Sequence, residues 1–407
     1  MASLRKNFSY MLTGRAVYAA TQWLLIIALA RLTSPESLGH FTYALAITGP
    51  VIIFFQLNMR AYMATDAVES FRFSDYLATR VVSLAAAITL ILIATLQHAT
   101  SPAASALIVL VGLYKSAEAV SDVYYGVLQK NERLGPVALS VAVRGIAALL
   151  VMVLAVILFD SIIVGAAGIL TAWVLLLTLY DRPMAVSMTS PDEGTTASRM
   201  WRLARACFPM GLVLTLMSLR VNIPVYFIRN EMGTESVGYY SAVSYFLTAG
   251  ALISGSLAQT TSPRLARLLH AGDTEGFVRL LYKLLVGATV VGLSGVLVAA
   301  LFGDSILAIF YGASYARLDS LLVVIMLAAS ANYLAQLLGM SLTVARLLWF
   351  QLFSNGAAVL MVFLVAFHLV PSHGLVGGGI ALLCGVVTAL VCNGTALAIK
   401  LKENSKG

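Results

Sequence analysis

Phe208-Pro209-Met210-Gly211-Leu212-Val213-Leu214-Thr215-Leu216-Met217-Ser218-Leu219-Arg220-Val221-Asn222-Ile223-Pro224-Val225-Tyr226-Phe227-Ile228 carries a single charge, Arg220, near its middle. A hydrocarbon core about 30 Å thick needs about 20 apolar residues to cross as a helix, and this stretch is long enough. A cation at such depth costs at least about 2.5–3.5 kcal/mol, so it faces a bundle interior or a water-filled cavity rather than lipid. The stretch therefore reads as a membrane span with a polar purpose.

Working outward, the same reading repeats. The chain of 407 residues is 60% hydrophobic and 11% charged, outside the soluble range. Apolar runs fall at 13–30, 41–63, 80–97, 103–125, 136–158, 161–180, 208–228, 239–262, 282–302, 319–339, 346–369 and 375–398. Backbone in lipid must satisfy its own hydrogen bonds, so these runs are expected to be helices. With the N-terminus placed in the cytoplasm, only Arg31, Arg229 and Arg317 fall in outside segments, and Arg15, Arg60, Lys115, Arg144 and Arg220 fall within spans. The other eighteen of the 26 Lys and Arg residues are cytoplasmic, a positive-inside bias that places both termini inside. The net charge of +8 thus reflects topology and gives no reason to expect nucleic acid. Met1-Ala2-Ser3-Leu4-Arg5-Lys6 has the look of a signal-peptide start. Arg31 and Ser34-Pro35-Glu36 follow without a small-residue cleavage site, so the first run is expected to be retained.

The chain also looks duplicated. Residues 34–43 read SPESLGHFTY and residues 233–242 read GTESVGYYSA, so that Glu36, Ser37 and Gly39 match Glu235, Ser236 and Gly238. Ser34 is suited to cap a helix, Pro35 to its first turn and Glu36 to its positive end. Six runs precede the join and six follow it. The expected fold is an all-α polytopic membrane protein of about twelve transmembrane helices, in two six-helix lobes related by a pseudo-twofold axis along the membrane normal. The lobes are expected at 1–185 and 206–407. Residues 186–205 are expected to form a cytoplasmic linker with a basic interfacial helix, in which Ser198 caps Arg199, Arg202 and Arg205. Repeat interfaces are where transporters often hold substrate.

The buried polar residues carry the chemistry. Arg220 lies about 18 Å from Phe208, Lys115 about 18 Å from Ala103, and Arg144 about 12 Å from Pro136 at 1.5 Å per helical residue. All three are too deep to snorkel easily. Arg15, Tyr18 and Gln22 share a helix face, as do Lys115, Glu118 and Asp122. Gln56 with Arg60, Asn332 with Gln336, and Gln351 with Asn355 add polar pairs at helical spacing. Either Lys115 or Arg144 could instead be tied up in a structural pair with Glu118 or Asp122. Arg220 has no carboxylate in its own run, and Pro224 beside it is expected to act as a hinge.

Other chemistries find no support. Cys207, Cys384 and Cys392 show no zinc or disulfide spacing, and His98, His368 and His373 form no metal cluster. There is no phosphate-binding loop ending in Gly-Lys-Ser/Thr, no cofactor motif and no catalytic set. The expected external loops are short, which favours transport over glycan chemistry outside the membrane.

The layout resembles the multidrug/oligosaccharidyl-lipid/polysaccharide exporter superfamily. Three stretches resemble its polysaccharide-flippase branch: Ala30 to Phe41; Tyr125-Gly126-Val127-Leu128-Gln129-Lys130-Asn131-Glu132-Arg133; and Ser262-Pro263-Arg264-Leu265-Ala266-Arg267 with Gly272, Asp273 and Phe277. The resemblance implies a pair of six-helix lobes working by alternating access, and a cargo of oligosaccharide linked through pyrophosphate to a polyprenol. Twelve spans depart from the fourteen of lipid II flippases, which argues against peptidoglycan precursor.

A pyrophosphate crossing a low-dielectric region needs opposite charge. Arg220, Arg144 and Lys115 are expected to bind it in one cavity, with Arg15 and Arg60 guiding entry. Glu118 or Asp122 is expected to couple a proton or sodium ion. The reading is a non-enzymatic flippase of a bacterial inner membrane, serving O-antigen, capsule or exopolysaccharide synthesis alongside membrane lipids and a glycan polymerase complex. An ion-coupled multidrug exporter of the same fold is the main alternative. A glycan polymerase or ligase is the alternative of another class.

Overall fold

The computed structural model describes residues 4–66, 70–98, 101–189, 194–345 and 347–404, and the regular structure among them is helical throughout. Arg346, Lys406 and Ser190 through Glu193, all read from the sequence as cytoplasmic, lie outside the described residues. The helices are α1 (Leu4–Leu32), α2 (Pro35–Gln56), α3 (Met59–Thr65), α4 (Phe73–His98), α5 (Pro102–Lys130), α6 (Leu134–Phe159), α7 (Ile162–Leu176), α8 (Arg182–Val186), α9 (Ala197–His270), α10 (Thr274–Tyr311), α11 (Asp319–Val344) and α12 (Leu348–Asn404). A π-helical turn, Leu177–Asp181, joins α7 to α8.

Ten stretches are long and apolar enough to cross a membrane. Besides α10, which leaves helical dihedrals at Phe302, two of them hide a break between successive apolar runs. The path of α9 leaves helical dihedrals at Gly233, with φ 82°, and that of α12 at Gly374, with φ 56°. Glycine adopts such angles without the penalty a Cβ would bring. Both breaks fall between runs separated in the sequence reading, so the structure is consistent with twelve spans. The arms of α12 fold back on one another. Ser354 Oγ donates to the Ala389 carbonyl at 3.3 Å, and a Cβ at Gly385 would lie 3.0 Å from the Ala358 carbonyl. Small residues allow such close approach where lipid supplies no hydrophobic drive.

The cap expected from Ser34-Pro35-Glu36 is present. Ser34 Oγ accepts from the Ser37 amide at 3.2 Å and Pro35 starts the helix. Leu38 and Val237, Phe41 and Tyr240 are buried in pairs that follow the sequence repeat.

The chain divides into two compact units, Met1–Ser218 and Leu219–Gly407. In the first, α1 lies along α6, α6 along α7, α2 against α4 and α5, and α5 against α7. A Cβ at Gly14 would meet the Ala138 carbonyl at 2.6 Å, and one at Gly145 would meet Tyr18 Cα at 3.1 Å, so α1 and α6 touch backbone to backbone twice. In the second unit, α10 packs on α11 and α11 on α12.

Three local expectations are corrected. The basic segment after the linker is not a separate helix but the start of α9, because Leu203 and Cys207 bury one face in the first unit's core. Its cap is Thr196, whose Oγ1 accepts from the Arg199 amide at 3.4 Å, and not Ser198. Gln56 and Arg60 do not share a helix face, since Leu57 and Asn58 between them are left-handed. At Pro224 the path of α9 stays helical, with its non-helical residue nine positions on at Gly233. A proline lacks the N–H that would bond residue i−4, so what Pro224 does is free the carbonyl of Arg220 itself.

Candidate functional site

Two constellations hold the polar residues singled out in the sequence, one in each unit.

In the first unit, α5 presents Lys115, Glu118 and Asp122 as their spacing predicts, but each finds a different partner. Lys115 Nζ lies 2.9 Å from Glu118 Oε2, and the Tyr18 hydroxyl of α1 donates to Glu118 Oε1 at 2.9 Å. The Lys115 ammonium also sits 5.4 Å from the centre of the Trp173 ring, a cation–π contact. One turn on, Asp122 Oδ1 accepts from Arg60 Nη1 at 3.1 Å, while Arg60 Nε donates to Gln129 Oε1 at 3.0 Å. Arg15 is exposed on α1 and lies within electrostatic range of Arg60 and Asp122.

Arg144 sits in a separate group. Its side chain is 1% exposed and its Nη2 donates to Asp181 Oδ2 at 3.0 Å and to Ser121 Oγ at 2.7 Å. Asp181 in turn accepts from Ser140 Oγ at 2.5 Å, and the Ser140 and Tyr125 hydroxyls are 2.7 Å apart. The Trp173 indole donates to the Arg144 carbonyl at 3.2 Å and closes the group. Arg144 thus has a fixed counter-charge within its own unit. The sequence reading anticipated a structural pair with Glu118 or Asp122, and the carboxylate is Asp181 instead. Asp181 ends the π-helical turn just before Pro183, whose missing N–H interrupts the helical ladder there. A carboxylate at the end of the 161–180 run was the signal available for finding it.

The sequence reading also missed Arg80. Placed among the cytoplasmic cations, it is fully buried in α4 and donates from Nη1 to the Phe55 carbonyl at 3.4 Å. That carbonyl is one of the last of α2, whose terminal acceptors have no intrahelical partner.

Among the described residues of the second unit, the buried polar side chains are neutral except for Arg220. Arg220 is 5% exposed and donates from Nη2 to Asn332 Oδ1 at 3.1 Å. No carboxylate pairs with it among the described residues, and its Nε has no hydrogen-bond partner there. One turn along α11, Gln336 Oε1 accepts from Ser254 Oγ at 3.0 Å. Gln351 donates from Nε2 to Thr343 Oγ1 at 2.7 Å, and Asn355 Nδ2 to the Gln351 carbonyl at 2.8 Å. Arg220 is therefore a buried cation held by neutral amide chemistry. Among the described residues no His, Cys, Asp and Glu cluster is placed to hold a metal ion.

The comparisons with known proteins agree with this architecture. The chain is 22% identical over 390 residues to the capsular polysaccharide biosynthesis protein CapF of Staphylococcus aureus, covering 95% of this chain and 97% of that protein. Its fold is similar to that of the lipid II flippase MurJ in an inward closed conformation, with a TM-score of 0.76 at 13% identity over 96% of this chain and 89% of that one. It is also similar to an inward-facing multidrug resistance MATE family transporter of the MOP superfamily, with a TM-score of 0.74 at 14% identity and 96% of each chain covered. The family model described as polysaccharide biosynthesis protein matches residues 4–269, so this multi-pass membrane protein belongs to the polysaccharide biosynthesis protein family.

Proposed function

We propose that the protein is a flippase that carries polyprenyl-pyrophosphate-linked oligosaccharide across a bacterial inner membrane by alternating access, for O-antigen, capsule or another exopolysaccharide. The observation that carries this reading is Arg220. A buried cation without counter-charge costs several kcal/mol unless something supplies the missing anion. Its planar guanidinium suits a phosphate oxygen pair. Asn332, Gln336 and Ser254 supply amide and hydroxyl chemistry suited to sugar hydroxyls. The relative in capsular polysaccharide biosynthesis and the flippase among the structural neighbours support the same cargo class. Lys115, Arg60 and Arg15 add positive charge for the headgroup. Glu118, bonded to both Lys115 and Tyr18, is the candidate for coupling a proton or sodium ion, with Asp122 the second. Arg144, sealed against Asp181, acts by holding α5, α6 and α7 together. Both termini are cytoplasmic on the positive-inside count.

Purified protein in proteoliposomes should move a fluorescent polyprenyl-pyrophosphate oligosaccharide between leaflets, and a deletion strain should accumulate lipid-linked repeat units on the cytoplasmic face. No leaflet exchange above empty vesicles would sink the reading. Normal surface glycan with raised drug sensitivity in the deletion strain would favour a multidrug exporter. Normal flipping with lost polymerisation would favour an enzyme.

A further inference from the structure

Three side chains of the first unit surround the Lys115 ammonium. Tyr114 of α5 and Trp173 of α7 are both buried, and their rings meet edge to face, with centroids 5.0 Å apart and planes at 78°. The two rings form a corner. Lys115 Nζ lies 5.9 Å from the centre of the Tyr114 ring and 5.4 Å from that of Trp173. Glu118 closes a third side, with Oε2 2.9 Å from Nζ. Aromatic faces carry negative charge density and attract a cation within about 6 Å of the ring centre, which is how aromatic cages recognise free organic ammonium ions.

What holds the walls decides whether they make a site or only line one side chain. Two of them are fixed by bonds that do not involve Lys115. The Tyr18 hydroxyl of α1 donates to the other Glu118 oxygen, Oε1, at 2.9 Å. The Trp173 indole donates to the Arg144 carbonyl at 3.2 Å, and Tyr114 is packed on the Trp173 ring. The corner is therefore preorganised by α1, α5 and α7 together, which lowers the cost of binding. It is open on one side, since the Lys115 and Glu118 side chains are 23% and 26% exposed. Lys115 reaches it from the adjacent backbone of α5, so the effective concentration of its ammonium far exceeds that of an amine in solution.

We infer that Tyr114, Trp173, Glu118 and Tyr18 form a binding site for a small alkylammonium ion, and that Lys115 is its tethered occupant, which keeps free organic cations out. Lys115 is thereby a specificity-determining residue. The wild-type protein binds no free cation at this corner, which separates the inference from a multidrug-exporter reading. The inference stands on these side chains and not on the proposed flippase function, so its failure leaves that function standing.

The test uses the purified full chain in detergent, with Trp23, Trp201 and Trp349 replaced by Phe so that Trp173 is the single tryptophan left of four. Lys115→Ala removes the side chain from Cγ to Nζ, which n-propylammonium replaces. Titration with n-propylammonium chloride should change Trp173 emission saturably in Lys115→Ala, at a half-saturating concentration at least about tenfold below that of any response with Lys115 intact. Equal responses overturn the occupancy by Lys115, and no saturable response in Lys115→Ala overturns the site. 1-Propanol has a similar shape without the charge and should give no response. A response equal to that of the amine shows apolar filling and overturns the cation assignment. Adding Glu118→Gln to Lys115→Ala should raise the half-saturating concentration at least about tenfold, and no change overturns the part given to the carboxylate. Should Lys115→Ala fold poorly, growth with n-propylammonium, and not with 1-propanol, should restore its membrane abundance. No recovery overturns the inference.

Discussion

Arg144 and Asp181 face each other at 3.0 Å with side chains 1% and 0% exposed, so each is the other's substitute for water. Removing one partner of a buried pair leaves an uncompensated charge and costs about 3–5 kcal/mol, whereas replacing both with apolar residues is often close to neutral. Asp181→Ala is therefore expected to lower the membrane abundance of the protein sharply. The Arg144→Met, Asp181→Leu double variant should recover much of it. Thermal unfolding of the purified variants checks this, and a double variant no better than the single one would show that the charges do more than pair.

Arg220 answers to the opposite logic. It has no pairing carboxylate among the described residues, so Arg220→Ala removes a cost as well as a function. Surface glycan should fall at least about tenfold, the effect of losing about 1.4 kcal/mol of binding. Membrane abundance should stay near normal. Arg220→Lys should keep part of the export, because the charge survives without the planar fork. Normal export from a stably expressed Arg220→Ala strain would remove Arg220 from the centre of the mechanism.

These two arginines show what the sequence could and could not tell. Depth in an apolar run was legible, since it depends only on spacing, and the helices, the Ser34 cap and the Asn332–Gln336 face followed from it. Partner identity was not. Asp181 reaches Arg144 from a helix 37 positions on in sequence, through a π-helical turn that no periodicity announces. Arg80 was misplaced for a related reason. It stands at the edge of its apolar run, where a cation normally reaches water, and the packing of neighbouring helices on α4, with the Phe55 carbonyl of α2 against the guanidinium, encloses it.

The segment between the second and third spans carries a pH-dependent lock. Asp66 accepts from the amides of Ser70 at 3.0 Å and Phe71 at 3.3 Å. Partial burial pushes its carboxyl up, but these bonds and the nearby Lys130 outweigh that and hold it below the ordinary carboxylate range. A carboxyl depressed in the folded state stabilises above its unfolded pKa, and that stability is lost as pH falls through the folded value. Asp66→Asn should therefore be less stable than wild type at neutral pH, by about 1 kcal/mol for weakened amide bonds. The gap should close as pH falls below about 4. A gap independent of pH would mean the carboxylate charge is not what holds the segment.

Topology is testable at Ser187, which is exposed just after α8. In a background where Cys207, Cys384 and Cys392 are replaced, Ser187→Cys should react with an impermeant thiol reagent only in opened or inverted membranes. Labelling in intact cells would reverse the orientation.

Asp75, fully buried at the start of α4, accepts from the Arg72 amide at 3.0 Å, from the Thr195 hydroxyl and, at 3.4 Å, from Arg199 Nε. That grip fastens the far end of the polar loop to the same unit its near end comes from. The loop is then a closed handle on the first unit, and the covalent passage into the second runs through unbroken helix at Ser218–Leu219. The chain thus passes from one unit to the next as a rod, two residues before Arg220, and not as a string. Lengthening the handle with glycine and serine should accordingly leave transport untouched, while inserting the same residues at Ser218 should stop it.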